Sequence, residues 1–111
     1  MKSTTRNVDG VEIINLQGKI TIGSGDTQLR DTIQDCLKDG KTKILLDMSG
    51  VTTIDSSGIG ELVGSFTTVT NRGGKLKLLH LPGKVSDLLH VTQLITVFEV
   101  YEDEKTALAA F

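Results

Sequence analysis

The feature that most constrains the fold is a nearly continuous apolar segment in the middle of the chain, KILLDM at residues 43–48. A strand with one solvated face alternates apolar and polar residues, whereas a strand that is covered on both faces carries a near-continuous apolar run. Such strands are typical of parallel sheets, because the helices that connect parallel strands cover the sheet. The segment therefore predicts an α/β fold with this strand at its centre.

Strand and helix patterns alternate along the rest of the chain. Segments at Lys2–Val8 and Val11–Leu16, joined by Asp9-Gly10, predict an N-terminal β-hairpin. Apolar periodicity and turn residues then predict a helix over 27–38, the strand over 43–48, a helix that follows the serines at 56 and 57, a strand over 76–81, a short helix ending near residue 90, a strand over 97–101 and a helix over 103–110. The predicted order is β-β-α-β-α-β-α-β-α, a mixed and mainly parallel sheet with about four helices.

Length and composition restrict the class of protein. A chain of 111 residues can bury one core without disulfides, so a single domain over residues 1–111 is expected. The single cysteine excludes an internal disulfide, and the net charge of −2 without a basic stripe argues against direct binding of nucleic acid. The sequence contains no signal-peptide pattern and no run of about 18 apolar residues, so we expect a cytoplasmic protein without membrane insertion.

The segment Ile54-Asp55-Ser56-Ser57-Gly58, between the central strand and the next helix, is the most informative polar segment. One of the two serines is expected to cap the helix by accepting a backbone N–H. The other hydroxyl would then lie at the positive end of the helix, where unpaired N–H groups and the helix dipole accommodate a phosphate. Phosphorylation would add a charge of about −1.5 to −2 there without unfolding the domain.

A serine hydrolase is poorly supported by the same segment. It would need Ser56 together with Asp47 and either His80 or His90, but the G-x-S-x-G signature of a strand-to-helix nucleophile is missing. The two histidines, ten residues apart, and the single cysteine fit no metal-ligand spacing. We therefore predict no catalytic residue, no enzymatic activity, no metal and no cofactor.

The glycines that follow the serines allow two interpretations. Gly60 and Gly64 lie inside the predicted helix, where each costs about 1 kcal/mol relative to alanine. They would either let the helix pack closely on the sheet or leave a shallow exposed strip for another protein, and the sequence favours neither. GIGELVG, at 58–64, is one residue too long for a dinucleotide fingerprint, which leaves weak nucleotide binding near GSGD, at 23–26, as the remaining small-ligand option.

The segment ILLDMSGVTTIDSSGIGELV resembles the signature of STAS-domain proteins, specifically the bacterial anti-sigma factor antagonists, in which an apolar strand precedes D-x-S-x-V and I-D-S-S-G-x-G. VEIINLQGKI is similar to the second strand of that family and GGKLKLLHL to the strand that follows. VSDLLHVTQLITVFEVYEDEKTALAAF is similar to its C-terminal part, so the resemblance covers almost the whole chain.

The resemblance implies a regulatory domain that, when unmodified, binds an anti-sigma factor serine kinase and so releases a sigma factor for transcription. The kinase would phosphorylate the serine after the motif's aspartate, here Ser56, and a serine phosphatase would remove the phosphate. The alternative is a constitutive STAS scaffold subunit of a stressosome-like or other regulatory assembly, in which Ser56 only caps the helix. The residues expected at the partner surface are Asp55, Ser56, Ser57, Gly58, Gly60, Glu61, Gly64 and Thr21.

The chain departs from the family pattern in three places. A G-E-L-D segment commonly follows the second strand in the family and places an acid near the phosphorylated serine, whereas this chain has Gly18-Lys19-Ile20-Thr21. The loop TIGSGDTQLR is slightly longer than usual, and Gln93 occupies a turn position that is often glycine. The first two differences lie beside the expected partner surface and therefore bear on which partner is bound.

Overall fold

The computed structural model describes all residues from 1 to 111 and contains one five-stranded sheet, in the order β1-β2-β3-β4-β5. The strands span Lys2–Val8 (β1), Val11–Ile20 (β2), Lys43–Ile54 (β3), Lys75–Leu79 (β4) and Val100–Tyr101 (β5). The helices span Gly25–Lys38 (α1), Ser56–Asn71 (α2), Gly83–Val91 (α3) and Glu104–Ala109 (α4), with a short 3-10 helix at Leu94–Thr96. This order confirms the predicted alternation of strands and helices.

The sheet is mixed, as predicted, because its first strand runs opposite to the others. β1 pairs antiparallel with β2 through the turn at Asp9 and Gly10, whose φ angles of 53° and 83° are those of a tight hairpin turn. β2, β3, β4 and β5 pair parallel to one another, with β3 in the centre. The edge at β1 is solvated, since every residue from Lys2 to Asn7 is exposed. None of the helices combines the length and the apolar character that crossing a membrane would require.

The apolar run of β3 is explained by helices on both faces of the sheet. Ile44 and Leu46 are fully buried in the larger core, beneath α1, α2 and α3. Leu45 points to the opposite face and is fully buried in a smaller core that contains Ala107 of α4. Successive side chains of a strand point to opposite faces, so a strand covered on both faces needs apolar residues at consecutive positions.

β2 and β3 are longer than predicted and end together at Ile20 and Ile54, beyond the predicted ends at Leu16 and Met48. Their pairing continues across two register irregularities, the second of which follows Gly18, where φ is +101°. Glycine adopts such an angle without a steric penalty, and irregularities of this kind break the period-2 pattern that marks a strand. The extension places the loop after β2 directly beside the start of α2.

The last strand is shorter than predicted. Only Val100–Tyr101 pairs with β4, because the preceding residues form the 3-10 helix and the turn after it. Gln93 immediately precedes the 3-10 helix with φ of 62°, a left-handed conformation that explains why glycine is favoured there. Phe98 is buried and packs edge-on against Phe66, with 5.4 Å between the ring centroids.

Candidate functional site

The site is built around the first turn of α2, which begins immediately after β3. Asp55 is the N-cap residue: its backbone is extended, and its Oδ1 accepts a hydrogen bond from the backbone N–H of Gly58 at 2.9 Å. The prediction that Ser56 or Ser57 caps the helix is therefore wrong. A cap must lie one residue before the first helical residue to reach the donor at the third helical position, and Asp55 occupies that place.

The second oxygen of Asp55 connects α2 to the loop between β2 and α1. Its Oδ2 accepts a hydrogen bond from the backbone N–H of Ile22 at 3.0 Å. The donors of Gly58 and Ile22 hold the pKa of Asp55 below its ordinary value, because both stabilise the ionised carboxylate. One side chain thus fixes the position of the loop relative to the helix.

The two serines differ in accessibility. Since Asp55 supplies the cap, neither hydroxyl is needed for it. Ser56 is exposed at the first position of α2, whereas Ser57 is partly buried. Ser56 is therefore the more accessible of the two for an enzyme that modifies a hydroxyl.

The first turns of α1 and α2 press against the end of β2. An added Cβ at Gly58 would lie 2.0 Å from the carbonyl oxygen of Ile20, and one at Gly25 would lie 2.0 Å from the carbonyl oxygen of Lys19. Both distances are far shorter than any real contact of a Cβ atom, so only glycine fits at either position. Gly58 is thus required for the approach of α2 to the sheet.

Gly60 and Gly64 have a different environment. Both are exposed, and nothing lies within 4 Å of a Cβ built at either position. Close packing on the sheet, one of the two interpretations of these glycines, is therefore excluded. What remains is a shallow surface on α2 that begins one turn after Ser56.

Glu61 forms an ion pair across the two helices. Its Oε1 accepts hydrogen bonds from two guanidinium nitrogens of Arg30 in α1, with 3.1 Å to Nε. The side chain of Glu61 is 18% exposed and that of Arg30 is 56% exposed. Glu61 raises the pKa of Arg30, since the carboxylate stabilises the charged guanidinium. The sequence did not indicate this pair, whose members are 31 residues apart.

Thr21, the residue in place of the family's acid, is partly buried directly after β2. Its carbonyl oxygen accepts a hydrogen bond from the backbone N–H of Asp26 at 3.2 Å. Its neighbour Ile22 is the residue held by Asp55. The structure therefore brings Thr21 to the same end of the sheet as Asp55 and Ser56.

The residues of the rejected hydrolase are engaged elsewhere. Oδ1 of Asp47 accepts a hydrogen bond from the backbone N–H of Ser49 at 3.0 Å, and Nδ1 of His90 lies 2.7 Å from the carbonyl oxygen of Ser86. The segment GSGD, at 23–26, forms the turn into α1 and lines none of the three surface cavities.

Comparison with known proteins places this geometry in a family. The STAS domain profile matches residues 2–107. The anti-sigma F factor antagonist of Paenibacillus polymyxa is 25% identical over 100 residues, which cover 89% of this chain and 85% of that protein. The crystal structure of a putative anti-sigma factor antagonist from Thermotoga maritima is 26% identical, with a TM-score of 0.89 over 97% of this chain and 92% of that chain.

A third similar structure is that of the Bacillus cell fate determinant SpoIIAA in the phosphorylated form. It is 20% identical, with a TM-score of 0.75 over 98% of each chain, and at that identity the similarity describes the fold. The match of the domain profile to nearly the whole sequence, together with the confirmed order of strands and helices, shows that this chain belongs to the STAS domain family.

Proposed function

We propose that this protein is an anti-sigma factor antagonist of the cytoplasm that is switched by phosphorylation of Ser56. Unmodified, it binds an anti-sigma factor serine kinase and so releases a sigma factor for transcription. The kinase then phosphorylates Ser56, and a serine phosphatase restores the unmodified state. The protein itself catalyses nothing in this cycle. The observation that carries the proposal is an exposed Ser56, relieved of capping by Asp55, in a STAS domain similar to anti-sigma factor antagonists.

The position of Ser56 favours a modification that the fold tolerates. A phosphate there lies at the N-terminus of a 16-residue helix, where the dipole and the free N–H groups stabilise an anion. The cap itself remains on Asp55 and does not depend on the hydroxyl. We therefore expect folding to survive phosphorylation with little change in stability.

The same phosphate disfavours an interface built over it. Asp55 is the adjacent residue and is acidic, and Arg30, a basic residue of α1 that reaches α2, is already paired with Glu61. A phosphate buried against a partner without a cation costs several kcal/mol. A cost of about 4 kcal/mol corresponds to a loss of about a thousandfold in affinity.

The surface proposed to bind the kinase combines the loop after β2 with the exposed side of α2. Thr21 and the residues 55–58 form one end of it, and Gly60, Glu61 and Gly64 continue it along the helix. Because the two exposed glycines present no side chains, a partner can approach the α2 backbone closely there. This open shape supports protein binding.

The test uses the purified serine-kinase anti-sigma factors encoded in the genome of origin, each with ATP. The mass of the intact protein should rise by one phosphate, should not rise for Ser56→Ala, and should rise normally for the matched control Ser57→Ala. Titration calorimetry should show tight binding of the unmodified protein and of Ser56→Ala, and at most weak binding of the phosphorylated protein. Ser56→Asp should fall between them, because it carries less charge and a shorter side chain. Equal affinities for the phosphorylated and unmodified proteins would exclude the switch and favour the constitutive scaffold.

A further inference from the structure

Ile22 is the large apolar side chain beside this site that the fold leaves uncovered. The residue is 73% exposed, although it lies in the loop that is hydrogen-bonded to Asp55, the cap of α2. The other large exposed apolar residues are Val91, at the end of α3, and Val97, before β5. Of the three, Ile22 is the one whose backbone is hydrogen-bonded to Asp55, the residue before Ser56.

The exposure of Ile22 occurs in a firmly held loop. The backbone N–H of Ile22 donates to Oδ2 of Asp55 at 3.0 Å, and the N–H of Asp26 donates to the carbonyl of Thr21 at 3.2 Å. The loop then turns at Gly23, where φ is +90°, and enters α1 through the buried Gly25. Both hydrogen bonds therefore hold the peptide group between Thr21 and Ile22, which fixes the backbone from which the Ile22 side chain projects beside α2.

We propose that Ile22 is an anchor residue that inserts into an apolar pocket of the same kinase partner that contacts Ser56. The inference rests on the function proposed above and adds the source of its affinity and specificity. The α2 side of the surface offers little apolar area, since Gly60 and Gly64 carry no side chains. Ile22 supplies that area from the loop held by Asp55, beside the polar residues Thr21 and Asp55, and an apolar anchor among polar residues is common at protein interfaces.

Asp55 gives the anchor a fixed relation to the serine. Its Oδ2 holds the backbone of Ile22, while its Oδ1 holds the first turn of α2, on which Ser56 lies. A partner that binds Ile22 therefore receives the hydroxyl of Ser56 at a constant position. The pocket of the kinase would also discriminate against other antagonists that carry a charged group at the position of Ile22.

The experiment measures affinity by titration calorimetry against each purified serine-kinase anti-sigma factor of the genome of origin. Ile22→Ser should weaken binding by about ten- to hundredfold, the effect of losing the burial of one large aliphatic side chain. Ile22→Val should retain most of the affinity. Val91→Ser is the matched control, since Val91 is 82% exposed but lies on α3, and it should bind like the wild type.

A kinetic measurement distinguishes an anchor, which binds the kinase, from a residue that positions the Ser56 hydroxyl for phosphorylation. Ile22→Ser should raise the KM for phosphorylation of Ser56 and leave kcat nearly unchanged, because an anchor contributes equally to the ground state and the transition state. Its thermal unfolding midpoint should equal that of the wild type, since the side chain is exposed. Wild-type affinity for Ile22→Ser, or an equal loss for Val91→Ser, would overturn the anchor alone. Absence of wild-type binding to every kinase would overturn the proposed function and the anchor with it.

Discussion

Replacement of glycine by alanine in α2 should have opposite effects at Gly58 and at Gly60 or Gly64. An added Cβ at Gly58 would lie 2.0 Å from the carbonyl oxygen of Ile20 and 2.7 Å from Cγ1 of Ile54, whereas ordinary van der Waals contact begins at 3.4 Å. At Gly60 and Gly64 nothing lies within 4 Å of the same atom. The three positions share one helix, so they compare the same chemical change in two environments.

The magnitudes follow from two opposing terms. Alanine stabilises a helix interior relative to glycine by about 0.5–1 kcal/mol, and at Gly60 and Gly64 this term stands alone. At Gly58 the closest obstacle is a backbone oxygen, which cannot rotate away, so β2 or α2 must shift. Overpacking of this kind typically costs about 1–3 kcal/mol. We expect a net loss of about 1 kcal/mol for Gly58→Ala and a gain of about 0.5 kcal/mol for each of the other two.

Urea unfolding followed by far-ultraviolet circular dichroism is the appropriate assay. The midpoints should move in opposite directions while the slope of unfolding free energy against urea stays constant, as expected when only native stability changes. Gly60→Ala should also weaken kinase binding, since its methyl group stands on the proposed interface. Wild-type stability of Gly58→Ala would refute the close approach of α2 to β2, and a destabilised Gly60→Ala would refute the open surface.

Three further predictions concern the core, the cap and the loop. Phe66→Ala should cost about 3 kcal/mol in urea unfolding, because the partly buried ring packs against Phe98, and a loss below about 1 kcal/mol would contradict this packing. The lowered pKa of Asp55 means that its stabilisation is complete above the ordinary pKa of 3.8 and disappears as the pH falls through the lower value of the folded protein. Thermal midpoints from pH 5 to pH 2 should therefore fall less for Asp55→Asn than for the wild type, and parallel curves would contradict the cap. Thr21→Asp should change the rate of Ser56 phosphorylation while stability stays within about 0.5 kcal/mol, and equal rates would show that the residue is neutral.

The central architecture could be predicted because burial imposes composition. β3 is covered on both faces, which leaves apolar residues at Ile44, Leu45 and Leu46 and makes the strand visible in the sequence. The long helices were visible for a related reason, since α1 buries Leu29 and Ile33 on one periodic face. The apolar run of a covered strand and the apolar spacing of a helix are both local patterns, so they can be recognised in short segments of the sequence.

The details of the site could not be predicted in the same way. Aspartate and serine are equally good N-cap residues, so the cap can be assigned to Asp55 rather than to a serine only when the first residue of α2 is known. The sequence does not define helix ends to within one residue. The pair of Arg30 and Glu61 joins positions 31 residues apart, and no local pattern connects them. The loop that exposes Ile22 is held by a side chain from another element, a contact that only the folded structure reveals.

The two edge strands of the sheet restrict how this domain associates with other chains. An exposed strand edge is a template for pairing with a foreign strand, and natural proteins blunt such edges with charges or by keeping them short. β1 carries Lys2 and Arg6, the latter paired with Glu104 of α4, while β5 is two residues long. Strand addition is disfavoured at both edges, so many copies can coexist at high concentration without growing into continuous sheets. Under the proposed function, binding of the kinase would then depend on side-chain recognition at helices and loops.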